Sequence, residues 1–426
     1  LKKRSILIFA PYFPPRLRVG AIRPYRFAKY LSGLGWDVTV ISIANYDRDL
    51  TEIQKKDLEN VKLIKLEPPF DNTVSKSNQS NDSVVKKKGS NFLINWVDRN
   101  FPLDTWLPFF YSKRNQITNI IKEIEPDIIW STSDPWSGGY VIGKIAKKLG
   151  KKWIADFRDP WTLCSVRFEK KNRLSSYFDK RAEKWIVQNA DHLTFTAKAT
   201  ENKYRSFYNL NSDKTTNIYN SFDADINANQ SDEQSISKET FDIFFMGSFR
   251  ELSTARLIIE ILGKIKSSNR VVFDQIKVHS YGDFIEKDFE LASKYDVLSS
   301  FNKRDKVPFS KVQSEISKAD LLLLSTHPER DDIVPAKLWD YLLSGKPILS
   351  LVQNPEINEI LEETNTGKQF HLNELDNAVN FIIESVQSET VYVNQKTSKK
   401  ELIKKYSASE TSKELSELLK RVITDV

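Results

Sequence analysis

Residues 331–349 read Asp-Asp-Ile-Val-Pro-Ala-Lys-Leu-Trp-Asp-Tyr-Leu-Leu-Ser-Gly-Lys-Pro-Ile-Leu, and three side chains there suit an anion and a polyol. Asp332 and Asp340 are separated by seven residues. That spacing places one carboxylate on a loop and the other about one turn into a helix that begins at Pro335 and stops at Gly345. A carboxylate so placed can accept both hydroxyls of a vicinal diol such as ribose. Lys337 lies between them, where helix N–H groups without partners already favour negative charge. A second cation, Arg250, follows Met246-Gly247-Ser248-Phe249, with Arg256 as an equally charged alternative. Asp156-Phe157-Arg158-Asp159-Pro160-Trp161 packs two carboxylates and a guanidinium into four residues, and reads equally as a ligand-lining loop or as a buried ion-pair network. Ser131-Thr132-Ser133-Asp134 has no histidine close behind it and reads as a polar strand end rather than a nucleophile. Asp223-Ala224-Asp225 has the form of a metal-binding pair but falls in a linker.

These residues need a scaffold, and the pattern of apolar runs supplies one. Strands are expected at 5–10, 37–43, 61–66, 127–131 and 152–156, with helices at 21–34, 115–124 and 138–149 between them. Strand, helix, strand in this order implies right-handed crossovers and a parallel sheet. The pattern restarts with strands at 241–246, 276–280, 319–324 and 347–351 and helices at 254–265, 309–317 and 336–343. The expected fold class is therefore α/β, two Rossmann-like doubly wound parallel-sheet domains facing a cleft. The divisions are a first domain over 1–217, a linker over 218–240, a second domain over 241–400, and a closing helix over 401–426. That helix carries Leu415, Leu418, Leu419 and Val422 on one face, which suits packing back on the first domain.

With 426 residues, 40% hydrophobic and 12% aromatic, the chain is neither collagenous nor wholly disordered. A single cysteine, Cys164, and four histidines leave no internal disulfide and no thiolate-rich zinc site, which fits a reducing cytoplasm. No stretch reaches the roughly 20 apolar residues of a spanning helix, and the basic-then-apolar start, Lys2 to Ala10, reads as a first buried strand rather than a signal peptide. Net charge is +7, unevenly spread: residues 1–200 hold 35 basic and 21 acidic side chains, and residues 201–426 hold 29 and 36. Asp71 to Asn91, with Lys86-Lys87-Lys88, reads as a mobile loop. It leads into an aromatic run, Phe92, Leu93, Trp96, Phe101, Trp106, Leu107, Phe109, Phe110 and Tyr111, which suits either a membrane-surface segment or a helix packed on the domain's own core.

The sequence resembles a known family. Lys337-Leu338-Trp339-Asp340-Tyr341-Leu342 with Gly345-Lys346-Pro347 resembles the K-[LF]-x-E-Y-x-x-x-G-K-P element of nucleotide-sugar glycosyltransferases of the GT-B fold, family 4 in particular. Asp332 and Asp340 stand at the ends of that family's E-x7-E motif, each one methylene shorter than Glu. Ala10 to Pro15, then Gly20-Ala21 and Arg23, Leu31, Gly35 and Asp37 to Val40 resemble the family's opening strand, glycine loop and first helix, with one glycine where two are common. Asp127-Ile128-Ile129 and Asp156 to Trp161 are similar to acceptor-domain elements of transferases that build bacterial surface polysaccharide. Ile218 to Asp223 resembles the interdomain I-x-N-G-[FVY]-D element with Ser221 for Gly.

The resemblance implies a transferase that moves a sugar from a nucleoside diphosphate donor, UDP or GDP, to an oligosaccharide or lipid-linked glycan acceptor, with retention of configuration. It implies no cofactor and no metal, Arg250 and Lys337 neutralising the diphosphate instead. Asp340 would hold the ribose, and Val307 and Pro308 would frame the base through backbone groups within 306–309. Gly20 and Gly247 would let backbone approach the donor, and Asp332 would touch its sugar. Asp156, Arg158, Asp159 and Trp161 would line the acceptor side, both carboxylates being counted among the catalytic candidates. The expected setting is the cytoplasmic face of a membrane, without nucleic acid. A GT-B-type nucleotide-sugar epimerase and a non-catalytic partner subunit are the alternatives.

Overall fold

Two sets of short strands, the central ones largely apolar, with helices between them, can be buried on both faces only if helices cover both sides of a parallel sheet. The computed structural model, which describes residues 3–15, 19–44, 49–68, 100–164, 166, 171–223, 239–308, 311–388 and 399–424, shows two such assemblies. The first unit is Leu1–Tyr219 with Thr411–Val426, and the second is Asn220–Glu410.

In the first unit the order is β1 (Ser5–Phe9), α1 (Val19–Gly33), β2 (Asp37–Ile43), α2 (Glu52–Asp57), β3 (Val61–Leu66), α3 (Leu107–Ile124), β4 (Ile128–Thr132) and α4 (Trp136–Lys148). It continues with β5 (Lys152–Phe157), α5 (Arg173–Asn189), β6 (His192–Phe195), α6 (Lys198–Tyr208) and β7 (Thr215–Asn217). The seven strands pair in parallel in the order β3-β2-β1-β4-β5-β6-β7. One face, with Leu7, Phe9, Ile129 and Trp153, is covered by α3, α4 and α5. The other, with Ile6, Ile8, Val38 and Trp130, is covered by α1 and by the closing helix of the chain.

The expected helix at 115–124 begins eight residues earlier, at Leu107, because Pro108 sits in its first turn, where a missing N–H costs nothing. The described end of the aromatic run therefore belongs to the core. Phe109 and Phe110 are buried, Trp106 and Leu107 pack against them, and Tyr111 is the exposed ring. Residues 71–91 with the lysine triplet, and Phe92, Leu93 and Trp96, lie outside the described residues.

The second unit runs β8 (Phe241–Phe245), α7 (Arg256–Ser268), α8 (Arg270–Gln275), β9 (Ile276–Ser280), α9 (Glu286–Lys294), β10 (Phe301–Lys303), α10 (Val312–Ile316) and β11 (Leu321–Ser325). Then come α11 (Lys337–Ser344), β12 (Ile348–Leu351), α12 (Glu356–Thr364), β13 (Gly367–Gln369), α13 (Leu375–Gln387) and α14 (Lys399–Ile403). Its six parallel strands order as β10-β9-β8-β11-β12-β13. Ile243, Phe245, Leu321, Leu323 and Leu349 face α7 and α13 in one continuous core. The segments that lead in and out are tied together: Phe222 N–H donates to the Tyr406 carbonyl (3.3 Å) and Ala408 N–H to that of Phe222 (2.7 Å).

The last helix, α15 (Ala408–Thr424), ends in the first unit. Leu415, Leu418, Leu419 and Val422 are buried there among Ile6, Ile8 and Val38, and Trp36 Nε1 donates to Ser416 Oγ at 2.8 Å. Among the described residues no helix is long and apolar enough to cross a membrane.

Candidate functional site

In an open parallel sheet the connections leave a crevice beyond the carboxyl ends of the two strands where the winding reverses. In the second unit those strands are β8 and β11. The chain leaves β8 through Gly247, whose φ of +138° is one that side-chain-bearing residues rarely adopt and whose N–H turns back to the Phe245 carbonyl at 2.9 Å. A Cβ at Gly247 would meet Cε of Lys337 at 3.2 Å, so the glycine makes room for that lysine. Lys337 opens α11, and its ammonium lies 4.6 Å from the centroid of the Phe245 ring. Desolvation, followed by repulsion from Arg250, pushes its pKa down to about 8. Buried Tyr341, one turn along α11, accepts the Met246 N–H at 3.0 Å and ties the helix to the β8 turn.

Neither Lys337 nor the exposed Arg250 has an ion-pair partner among the described residues, and a glycine turn and a helix amino terminus lie beside them. Two cations side by side, Arg250 lowering the proton affinity of Lys337, form a place for an anion with several oxygens. Asp340 is half-buried in the first turn of α11, and its carbonyl accepts from Gln313 of α10 at 3.1 Å. Val307 is half-buried and Pro308 exposed, on the extended loop after β10; Phe309 lies outside the described residues. Asp332 stands differently from the sequence expectation. It is buried and paired with the buried Arg330 guanidinium at 2.9 Å, so its charge is spent inside the loop. Thr326, just past β11, is buried, and its hydroxyl finds no hydrogen-bond partner among the described residues.

In the first unit the reversal lies between β1 and β4. Gly20 sits in the opening turn of α1, and a Cβ there would lie 2.3 Å from Nη1 of Arg158. The space expected to admit a diphosphate to the backbone is filled by a guanidinium. Arg158 donates from Nε to the Ser133 carbonyl and from Nη2 to that of Asp134 (3.2 Å), so its bonds are to neutral acceptors and its charge stays available. Asp156 is the opposite case. Oδ1 accepts from Arg23 Nη2 (2.9 Å) and Thr194 (2.7 Å), and Oδ2 from Arg23 Nε (3.2 Å) and Thr132 (2.8 Å). A buried carboxylate with both oxygens occupied is a clamp between α1 and β5 rather than a base.

Trp161 is also structural: it is buried and stacks on Trp136 at 4.9 Å. Beneath it Glu183, its carboxyl raised in pKa by burial, gathers Thr162, Tyr204 and Tyr208, and Tyr204 Oη accepts the Trp161 N–H at 2.9 Å. Asp159 is half-buried. Ser131 and Ser133 are engaged by Trp153 Nε1 and the Asp156 carbonyl, as a polar strand end should be.

The sequence reading passed over Arg330, Tyr341 and Thr326. Tyr341 was legible inside the Lys-Leu-Trp-Asp-Tyr run. The Arg330–Asp332 pairing depends on how the loop folds and left no signal in spacing.

Residues 21–226 match the family model of Glycosyltransferase Family 4. No curated protein sequence matches the chain. Among solved structures, sucrose-phosphate synthase from Thermosynechococcus elongatus superposes with a TM-score of 0.69 at 12% identity, over 100% of each chain. HepE from Anabaena in complex with UDP gives 0.61 at 12%, over 98% of this chain and 100% of that one. The lipopolysaccharide outer core galactosyltransferase WaaB in its apo form gives 0.60 at 13%, over 98% and 99%. At these identities the likeness is one of fold, two Rossmann-like units in the GT-B pattern.

Proposed function

We propose that the chain, whose residues 21–226 match the family model of Glycosyltransferase Family 4, is a glycosyltransferase that transfers a sugar from a UDP- or GDP-sugar to a lipid-linked glycan acceptor in cell-surface polysaccharide assembly. The observation that carries the donor reading is the Lys337 and Arg250 pair beside the Gly247 turn at the carboxyl end of β8, two cations that form no ion pair among the described residues. In transfer the bond between the anomeric carbon and the diphosphate breaks, the acceptor oxygen takes its place, and negative charge grows on the leaving phosphate. Fixed cations at that point stabilise the transition state more than the ground state. Asp340 holds the ribose, and the loop with Val307 and Pro308 frames the base. On the first unit Arg158 and Asp159 face the acceptor. UDP in the Anabaena neighbour supports a nucleotide donor, and the lipopolysaccharide role of WaaB supports a glycan acceptor. The reading includes retention of configuration, catalysis without a metal, and work at the inner membrane face.

The test is a thermal-shift screen of UDP, GDP, ADP, CDP and dTDP followed by transfer assays with the matching sugars. One nucleotide should raise the melting temperature, and Lys337→Ala and Asp340→Ala should abolish the shift and the transfer. Transfer that survives both substitutions with every donor overturns the assignment. Isomerised free donor as the product would identify an epimerase instead.

A further inference from the structure

Helix α5 (Arg173–Asn189) turns its acids inward and its bases outward. Asp179 is buried, taking the Lys171 ammonium at 2.5 Å and the Leu103 N–H at 2.6 Å, and Glu183 is buried under the hydroxyls of Thr162, Tyr204 and Tyr208. Ala182, Ile186 and Val187 fill the core on the same side. The outward side carries Arg173, Lys180, Arg181 and Lys184, all exposed, and no acid.

Among these cations stand three large apolar residues in the open. Leu174 is 68% exposed, Tyr177 53% and Phe178 45%. Their spacing of three and four places them on one stripe of the helix. The two rings meet edge to face at 5.7 Å, and Arg181 donates to Tyr177 Oη at 3.1 Å, an arrangement that holds the aromatics outward. Scattered exposed hydrophobes need no explanation, but three on one stripe of a helix whose exposed charges are all positive do.

Such a surface suits a partner that is apolar and anionic at once. An anionic lipid bilayer offers both within a few ångströms, as hydrocarbon just below phosphate. We propose that the exposed face of α5 docks the first unit on an anionic bilayer surface, with Leu174, Tyr177 and Phe178 entering the headgroup layer and the four cations over lipid phosphates. The inference deepens the membrane-face part of the proposed reading and rests on it, while vesicles lacking any acceptor report it separately from transfer.

The experiment is flotation of the full chain with phosphatidylcholine vesicles, with and without phosphatidylglycerol, at low and high salt. The chain should bind the mixed vesicles at least about tenfold more tightly and lose most of that binding at high salt. Two multiple variants separate the contributions: Leu174→Ser with Tyr177→Ser and Phe178→Ser, and Arg173→Gln with Lys180→Gln, Arg181→Gln and Lys184→Gln. Each should weaken binding at least about fivefold with an unchanged melting temperature, since these side chains lie outside the core. Absence of binding by the unaltered chain, equal binding to neutral vesicles, or variants that bind like the unaltered chain each overturn the proposal. So does a dimer in solution that the variants dissolve without any vesicle binding, which would make the face a seam between copies. Loss of all transfer activity with vesicle binding intact would remove the transfer part of that reading and leave this one standing.

Discussion

Lys337 is the residue on which the donor reading turns, and its environment makes two measurable demands. A lysine at the mouth of β8, desolvated and facing Arg250, has its pKa held down to about 8. Above that pH it is neutral and offers a diphosphate no charge, so affinity for the nucleotide should fall as pH rises through 8, approaching tenfold per pH unit. A titration calorimetry series from pH 6.5 to 9.5 checks this, and a flat profile contradicts it. The same shift has a stability sign. The folded pKa lies below the unfolded one of about 10.4, so the charged lysine works against folding below pH 8, and that penalty is released between the two values. Lys337→Met should therefore raise the melting temperature of the free protein at pH 7 while weakening nucleotide binding by about 10 to 100-fold. Thr326 follows similar logic: Thr326→Val removes a buried hydroxyl that has no partner among the described residues. The free protein should be no less stable, and any loss of nucleotide affinity would assign the hydroxyl to the ligand. Lys337 and Asp340 were picked out in the sequence by type and spacing, and the structure places both in the first turn of α11. Asp332 was read as a sugar contact and Asp156 as either ligand-lining or part of an ion-pair network, since a carboxylate in a motif looks the same whether it faces a ligand or, as here, Arg330 and Arg23.

At the scale of elements, function rests on how helix starts are fastened to strand ends. Helix α11 is held to the β8 turn by the Tyr341 hydroxyl accepting the Met246 N–H. Tyr341→Phe removes the acceptor of that half-buried N–H, with an expected loss of about 0.5–1.5 kcal/mol in chemical denaturation and a weaker nucleotide shift. Helix α1 is fastened by Asp156 to Arg23, and its first turn is shaped by Gly20 to lie against Arg158. In Gly20→Ala the new methyl collides with the end of a flexible side chain, so stability should change by less than about 0.5 kcal/mol. Arg158 must move, so the Michaelis constant for acceptor should rise while that for donor does not; equal effects on both would separate Arg158 from the acceptor. Strand limits such as 37–43, 61–66 and 276–280 were readable from the sequence because β-branched and other apolar residues recur there at about every second position, as Val38 and Val40, Val61 and Leu63, and Ile276 and Val278 do. Helix limits were less so. The start of α3 is set by Pro108 and by the burial of Phe109 and Phe110, which the aromatic run alone left balanced between a core and a membrane surface.

For the whole molecule, the chain leaves the first unit near Tyr219, builds the second, and returns to finish the first with α15. That return completes a core. Leu415, Leu418, Leu419 and Val422 cover the sheet face of Ile6, Ile8 and Val38, and Ser416 takes the indole N–H of Trp36. Each such leucine is worth about 2–5 kcal/mol by comparison with core truncations, and a domain's net stability is of order 5–15 kcal/mol. A chain ending at Glu410 should thus lose the cooperative unfolding of the first unit altogether. The second unit keeps its own core around Phe245, Ile261 and Leu349, together with Lys337, Arg250 and the Gly247 turn. Calorimetry of the shortened chain should show one transition where the full chain has the contributions of two, and that transition should still move upward on adding nucleotide. If both units melt as before, α15 is dispensable to the first core. If the nucleotide effect vanishes although the second unit still melts cooperatively, the donor site draws on the first unit, and its assignment to the β8 and β11 ends fails.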